Sequence, residues 1–482
     1  MSNSLKKNYL LNLINTVTGI VFPLITFPYA SRVLQAEGIG VINFYNSILS
    51  YITLVTCLGI PLYATREIAK VKHSPEQLSR TSTEILFLHL LLTLAGYLVV
   101  LTLCLTVDKI REHLLIFAVM SSSIFFTTMG CEWFYRGTED FKYITIRGLC
   151  IRLIYIPLLF IFVRTADDLL AYGILTVMVA VGNNVFNFYR LSKKVRLSDM
   201  RYAASRPFRH LKGALKIFAL TAAISLYTQM NIVILGFLSS TTAVGYYVGA
   251  TRITTIVAGI VTALQTSLLP RVSTLLAQED RTRYEKTVAR VLNFIYCFAL
   301  PLAVGLVVLA GPMIRLVCGP SYQPAVTTLA IIAPNLVVIA LSGFISGGIL
   351  LPHGKENIAT VACLIGAVVN IILNLSLIPH FAQNGTAVAS VATELAVLVG
   401  MICLGKAIIP IRLWQPRYFL YPCGAAVMGV VCWWVATHIS NDFISLIAVP
   451  AAGAAIYISF LFIARDPLAL EVAGIVKRKL HL

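Results

Sequence analysis

The sequence predicts an all-α integral membrane protein of about fourteen transmembrane helices, grouped as two pseudo-symmetric six-helix bundles plus two C-terminal helices. Three observations predict it. The 482-residue chain is 58% hydrophobic, more apolar surface than a soluble core of this length could bury, and its 12% charged content is about half the usual ~25%. Runs of roughly 18 or more apolar residues recur along the whole length, each able to cross ~30 Å of hydrocarbon as a helix, whereas a β-barrel would show weak alternation. Finally, the chain contains a faint echo of itself six spans apart.

The candidate spans fall near 10–33, 39–64, 82–106, 114–135, 144–163, 169–189, 215–236, 245–269, 288–310, 324–349, 357–378, 385–405, 418–436 and 444–464. The first lacks a small-residue cleavage site behind it and carries Asn12, Asn15, Pro23 and Pro28, so it reads as a retained helix rather than a signal peptide. "SRVLQAEGIGVINFYNSI" from Ser31 is followed, after the second span, by "GIPLYATREIAK". The eighth span repeats this design: "LGFLSSTTAVGYYVGATRI" from Leu235 is followed by "SLLPRVSTLLAQ". In both copies an outer turn leads to Gly40 or Gly245, and Pro61 or Pro270 precedes basic residues. An even number of intervening spans keeps the two copies in the same orientation, as in parallel repeats about an axis along the membrane normal. The expected division is therefore 1–205 for an N-terminal bundle with its basic linker, 206–410 for a second bundle, and 411–482 for two added helices and a tail. No stretch between spans can hold a soluble catalytic domain, so function has to live among the helices.

The net charge of +18 is placed as the positive-inside rule expects. With the N-terminus inside, the inner loops and termini hold every Lys and Arg except Arg32, Lys109, Arg111, Arg164 and Arg315 outside, and Arg152 and Arg252 within spans. Both termini are then cytoplasmic. The basic loop "RLSKKVRLSDMRYAASRPFRH" is explained as a topology determinant beside anionic headgroups, which leaves no need for nucleic acid. No pair among the ten Cys has zinc-ligand or redox spacing, and all but Cys318 lie in or beside spans. Phosphate loops, HExxH and Gly-x-Ser-x-Gly are absent, and the eight His are scattered. A transporter rather than an enzyme is expected, with no cofactor and no metal.

A charge at mid-membrane costs at least ~2.5 to 3.5 kcal/mol on insertion scales, so such residues face a partner or a wet cavity. Glu394 lies deepest, near the centre of the twelfth span; Arg152 and Arg252 sit about two turns into the fifth and eighth; Arg32 is near the outer end of the first. Glu132 sits one turn inside the inner end of the fourth span, in "GCEWFYRGTEDFKYITIR". There Trp133, Phe134 and Tyr135 read as an interfacial aromatic belt, Glu132 and Arg136 as an i, i+4 pair, and Gly137 as a helix breaker. Amides form stripes: Asn12, Asn15 and Gly19; Asn183 and Asn187; Gly366, Asn370 and Asn374. They either glue helices together or line a polar path.

Several stretches resemble the Wzx-type polysaccharide flippases of the multidrug/oligosaccharidyl-lipid/polysaccharide exporter superfamily. They are "FPYASRVLQAEGIGVINF" (27–44), "EWFYRGTEDFKYITIR" (132–147), "LVCGPSYQPA" (316–325) and "LPHGKENIATVACLIGAVVNIILNLSLIPHFAQNGTAVASVATE" (351–394). Their order and spacing along most of the chain are more specific than any one of them. The resemblance implies a V-shaped fold of two six-helix bundles plus two helices, alternating access around a central cavity, and location in the bacterial inner membrane. It implies as cargo an undecaprenyl-diphosphate-linked oligosaccharide turned from the cytoplasmic to the periplasmic leaflet, with a polysaccharide polymerase and a chain-length regulator as expected partners. Cationic residues would meet the diphosphate, and Arg32, Arg152 and Arg252 are assigned that role because guanidinium groups bind phosphate oxygens bidentately. Arg32 also reads as an outer-interface anchor, Arg152 as a residue snorkelling inward, and Arg252 as a partner of Glu394. Glu132, Asn231, Asn370 and Asn374 complete the expected substrate-binding set. Asn231 stands where related sequences often carry an acid, which puts ion coupling at that position in doubt. A cation-coupled drug exporter or a peptidoglycan-precursor flippase of the same superfamily is the alternative, and an embedded polymerase is further away because no large outer loop is present.

Overall fold

The computed structural model describes residues 3–206, 208–277, 280–409, 416–467 and 469–470. The side chains of Asn12, Asn15 and Pro270, residues 410–415 and the tail beyond 470 lie outside the described residues. Among the described residues the structure is all helical, as expected, with no strand. It divides into two compact units, Met1–Phe237 and Leu238–Leu482.

The first unit comprises α1 (Asn3–Cys57), α2 (Ile60–Val71), α3 (Pro75–Thr106), α4 (Asp108–Arg111), α5 (Leu114–Gly130), α6 (Glu132–Gly137), α7 (Phe141–Phe162), α8 (Leu169–Ser192), α9 (Met200–Ala204) and α10 (Leu211–Leu238). The second comprises α11 (Thr241–Ala277), α12 (Arg281–Val308), α13 (Ala310–Val317), α14 (Ala325–Ile332), α15 (Asn335–Phe344) with a wider π turn at Ile345–Leu350, α16 (Glu356–Leu404), α17 (Leu420–His438) and α18 (Asp442–Ile463). In α3 the leucines at 94, 98, 101 and 105 are more than half exposed, while Leu88, Thr93, Gly96 and Val100 are buried. An apolar face left outside a packed core is the arrangement a lipid solvent permits, and the small Gly96 brings α3 against Thr56 of α1.

Among the described residues ten helical segments are long and apolar enough to cross a membrane. The difference from the expected fourteen is local. Two segments, Val21–Val71 and Glu356–Leu404, each hold two expected spans, and the seventh and eighth expected spans correspond to α10 and α11. The two long segments bend where Gln35 (φ 56°) and Ala382 (φ 45°) leave helical geometry. Past the second bend Gly385 packs against the Leu377 carbonyl, so closely that a Cβ would lie 2.6 Å from its oxygen. The expected tenth span is interrupted at Pro334, which lacks the N–H needed to continue the ladder, so α14 and α15 replace one straight helix.

Short loops are tied by side chains. Asp168 accepts from the backbone N–H groups of Arg164 and Thr165 and from the Thr165 hydroxyl at 2.8 to 3.0 Å, and these donors hold its carboxyl below the usual carboxylate range. In the second unit Arg315 reaches both carboxylate oxygens of Asp442 at 2.8 and 2.6 Å, joining α13 to the start of α18.

Gly59, between α1 and α2, is held at φ 74°, and a Cβ there would lie 2.6 Å from the Ala214 carbonyl oxygen and 2.8 Å from the Phe218 backbone nitrogen of α10. Gly59→Val is expected to cost about 3 kcal/mol or more, because strained backbone and a backbone clash add. The check is the thermal unfolding midpoint of the detergent-solubilised variant; an unchanged midpoint would refute the close crossing.

Candidate functional site

In the first unit α3, α6, α7 and α8 wall a cavity of about 390 Å³. It is built by an abrupt change of direction at the stretch with the most crowded charges. α5 ends at Gly130 because Cys131 takes a left-handed conformation (φ 42°), and α6 starts afresh at Glu132. Gly130 leaves room for Asn184 of α8: a Cβ would lie 2.3 Å from the Asn184 Cγ. At the far end of α6, Gly137 lets the chain lie on α2, where a Cβ would meet Ile68 at 2.7 Å and the Thr65 carbonyl at 3.0 Å.

This turn corrects one expectation. Trp133, Phe134 and Tyr135 are not an interfacial belt; they are buried in a core with Ile60, Ala64 and Ile68 of α2 and Ile85, Leu86 and Leu88 of α3. The physical reason is the redirection at Cys131, which folds α6 back onto α2 instead of letting the fourth span run straight to the headgroups. With the aromatic face committed to the core, the polar face of α6 remains for the cavity. Glu132 and Arg136 form the expected i, i+4 pair at 3.3 Å, with side chains 45% and 59% exposed. So exposed a pair contributes only a few tenths of a kcal/mol and leaves both groups available to a ligand.

α7 supplies the other two cations, Arg147 and Arg152. Arg147 donates through Nη1 to Asn187 Oδ1, and the fully buried Asn187 is itself fixed by the Tyr135 hydroxyl, which donates to its carbonyl at 2.5 Å. The Tyr143 ring lies between Arg147 and Arg190, 5.4 and 4.2 Å from its centroid, and Arg190 pairs with Asp140 at 2.9 Å. Arg152 donates to the Thr18 hydroxyl of α1 at 3.4 Å. α8 adds Asn183 and Asn184, and α3 adds the imidazole of His89. Three guanidinium groups against one carboxylate give the hollow a net positive lining, and guanidinium donors in planar forks match phosphate or carboxylate oxygens.

Of the expected site residues, the structure brings Glu132 and Arg152 into this cavity. Arg32 is exposed on α1, Arg252 exposed on α11, and Glu394 half-buried on α16. Asn231 is buried on α10. Asn370 and Asn374 are buried within α16, where Asn374 donates to Asn370 Oδ1 at 3.0 Å and Asn370 donates to the Thr393 hydroxyl at 3.0 Å, a chain that ties the two halves of the bent helix together. Arg147 and His89 were not anticipated. Arg147 lies near the inner end of α7, where its charge counts with the basic inner cluster in the sequence. The available signals were its spacing from Arg152, with the Asn183 and Asn187 stripe on the next helix, and a single imidazole inside "EILFLHLLLTLAG". Among the described residues no group of three or more His, Cys, Asp or Glu could hold a metal.

Comparisons with known proteins agree with this architecture. A family model described as polysaccharide biosynthesis protein matches residues 5–276, and one described as lipid II flippase MurJ matches residues 149–452. The chain is 25% identical over 394 residues to a protein of Escherichia coli strain K12 named "Putative O-antigen transporter", covering 81% of this chain and 94% of the relative. Among solved structures it is similar in fold to the lipid II flippase MurJ in an inward closed conformation, with a TM-score of 0.73, 15% identity, and coverage of 96% of this chain and 99% of that one. It is also similar to an inward-facing multidrug transporter of the MATE family, with a TM-score of 0.65, 16% identity, and coverage of 80% and 94%. The chain belongs to the polysaccharide biosynthesis protein family, the Wzx-type flippases of the multidrug/oligosaccharidyl-lipid/polysaccharide exporter superfamily.

Proposed function

We propose that this multi-pass protein turns an undecaprenyl-diphosphate-linked oligosaccharide, a polysaccharide or O-antigen repeat unit, from the cytoplasmic to the periplasmic leaflet of the bacterial inner membrane by alternating access. The observation that carries the reading is the cavity with Arg136, Arg147 and Arg152 on its walls and Glu132 as its one carboxylate. A diphosphate diester offers about two negative charges and several oxygens, the complement of those guanidiniums. Arg32 in the first unit and Arg252 in the second stand as further phosphate contacts, and Asn231 in the first and Glu394, Asn370 and Asn374 in the second as further polar contacts for the cargo. With both termini cytoplasmic, moving two negative charges outward through ~100 mV, negative inside, is favoured by on the order of 4 to 5 kcal/mol. What demands a protein is the sugar, since burying each unpaired hydroxyl in hydrocarbon costs roughly 2 or more kcal/mol. A polymerase and a chain-length regulator would then receive the exported unit.

A second reading, peptidoglycan-precursor flipping, is favoured by the MurJ family match over residues 149–452. Both cargos share the diphosphate, so the sugar decides. Proteoliposomes carrying the purified chain and fluorescent lipid-linked substrate provide the test. The expected result is flipping of an oligosaccharide repeat-unit lipid, faster under a negative-inside potential. Preference for lipid II would establish the second reading, and rates equal to protein-free vesicles for both would reject transport of this class.

A further inference from the structure

His89 is 2% exposed on α3, and neither of its ring nitrogens has a hydrogen-bond partner among the described residues. One turn along α3 the Thr93 hydroxyl is engaged elsewhere: it donates to the His89 backbone carbonyl at 2.8 Å and shares a 2.6 Å hydrogen bond with Thr128. A neutral imidazole always carries one donor and one acceptor, and burying such groups unmatched is costly, so a histidine held this way needs the polar hollow it lines. Two more buried atoms there are equally unmatched among the described residues, Arg147 Nε and Asn183 Oδ1. A donor, an acceptor and a ring that can be either are thus buried unmatched on three residues that line one cavity.

The charged residues that line this space with His89 are Glu132 and Arg136 from α6 and Arg147 and Arg152 from α7; the polar residues of α8 there are the amides Asn183 and Asn184, and α2 and α5 contribute the uncharged Pro61 and Thr127. Three fixed positive charges against one negative leave the empty cavity net positive. A phosphate diester with about two negative charges offsets that excess, and a negative charge nearby favours the protonated form of an imidazole.

We propose that His89 is a proton-linked ligand group: when an anionic phosphate ester enters the cavity, the imidazole takes a proton from solvent and donates an N–H to a phosphate oxygen, and it returns that proton when the ester leaves. The source of the anion rests on the flippase reading above. The consequence is a cavity that is more positive when full than when empty, with an affinity that rises as pH falls. A fourth fixed cation would attract the cargo equally well but would also retain it.

The test is calorimetric titration of the purified full chain in detergent with citronellyl-diphospho-N-acetylglucosamine, a diester with no titratable proton near neutrality, in buffers of differing ionisation enthalpy. The wild type is expected to take up a fraction of a proton per ligand between about pH 5 and 8, with affinity rising by up to about tenfold per pH unit, the limit for one proton. His89→Gln should bind more weakly, without proton uptake and without pH dependence. Binding without proton exchange in the wild type, a measurement that needs no variant, rejects the role of His89 and leaves the flippase reading standing. Proton uptake that persists in His89→Gln rejects it as well. Failure of the wild type to bind the probe at any pH rejects the diphosphate reading of the cavity itself.

Discussion

Arg152→Ala is expected to reduce surface polysaccharide at least tenfold while the protein remains at normal abundance in the membrane, and Arg147→Ala to reduce it by at least as much. A charge-assisted hydrogen bond to a phosphate is worth about 1.5 to 3 kcal/mol, or roughly one to two powers of ten in occupancy. The two variants differ in what else they disturb. Arg152 donates to the half-buried Thr18 hydroxyl at 3.4 Å, a long hydrogen bond whose loss costs less than that of a fully buried partner. Arg147 also satisfies Asn187, which is fully buried, so Arg147→Ala leaves an acceptor stranded at an added cost of about 1 to 3 kcal/mol. The lysine variants separate charge from geometry: Arg152→Lys keeps the positive charge without the planar fork and should restore part of the activity. Immunoblots of membranes beside polysaccharide gels give both readouts. Wild-type polysaccharide in both alanine variants would rule these arginines out as cargo contacts.

Sequence reasoning reached Glu132, Arg152 and the Asn183 stripe through one rule, that charge and amide inside hydrocarbon need a reason to be there. It missed Arg147 because a cation at the inner end of a span reads as part of the basic inner cluster, and its partner Asn187 lies 40 residues further along the chain. His89 escaped because a lone imidazole in a leucine-rich helix carries no pattern; only the hollow beside it distinguishes it from a packed histidine. The aromatic belt failed for a different reason. Cys131, Gln35 and Ala382 all turn the chain with positive φ without being glycine, and no local residue signal marks them. A straight helix ending in Trp-Phe-Tyr-Arg would have been a belt; the same residues after a sharp turn are core. The span pattern was legible because membrane thickness sets a length that composition shows directly, whereas turns and pairings are decided by distant partners.

The basic stretch after α8 shows how a topology signal can also be a structural part, and it yields the other large effect. Glu84, one of the most buried charges of the first unit at 3% exposure, accepts from Arg209 Nη1 at 3.0 Å with both oxygens and lies 2.9 Å from His210 Nε2. His210 Nδ1 is in turn 2.9 Å from the Tyr63 hydroxyl of α2. Nearby, Ser79 donates to Asp199 at 2.7 Å and accepts from the Arg196 backbone at 2.9 Å, so the loop is held at both ends. Removing one member of a fully buried ion pair costs about 3 to 5 kcal/mol, but the Arg209 side chain is 56% exposed and can return to water, so Glu84→Ala is expected to cost about 2 to 3 kcal/mol. The loss falls on docking of the loop rather than on the apolar packing of the helices, so it should appear as local opening. Trypsin cleavage between Lys193 and Arg209 is expected to accelerate by roughly 30- to 100-fold while the helices stay protected, because cleavage follows the population of the open form. Glu84→Gln, which keeps one acceptor for Arg209, should fall between wild type and alanine. A cleavage rate in Glu84→Ala equal to wild type would show that Ser79, Asp199 and Arg196 hold the loop without it.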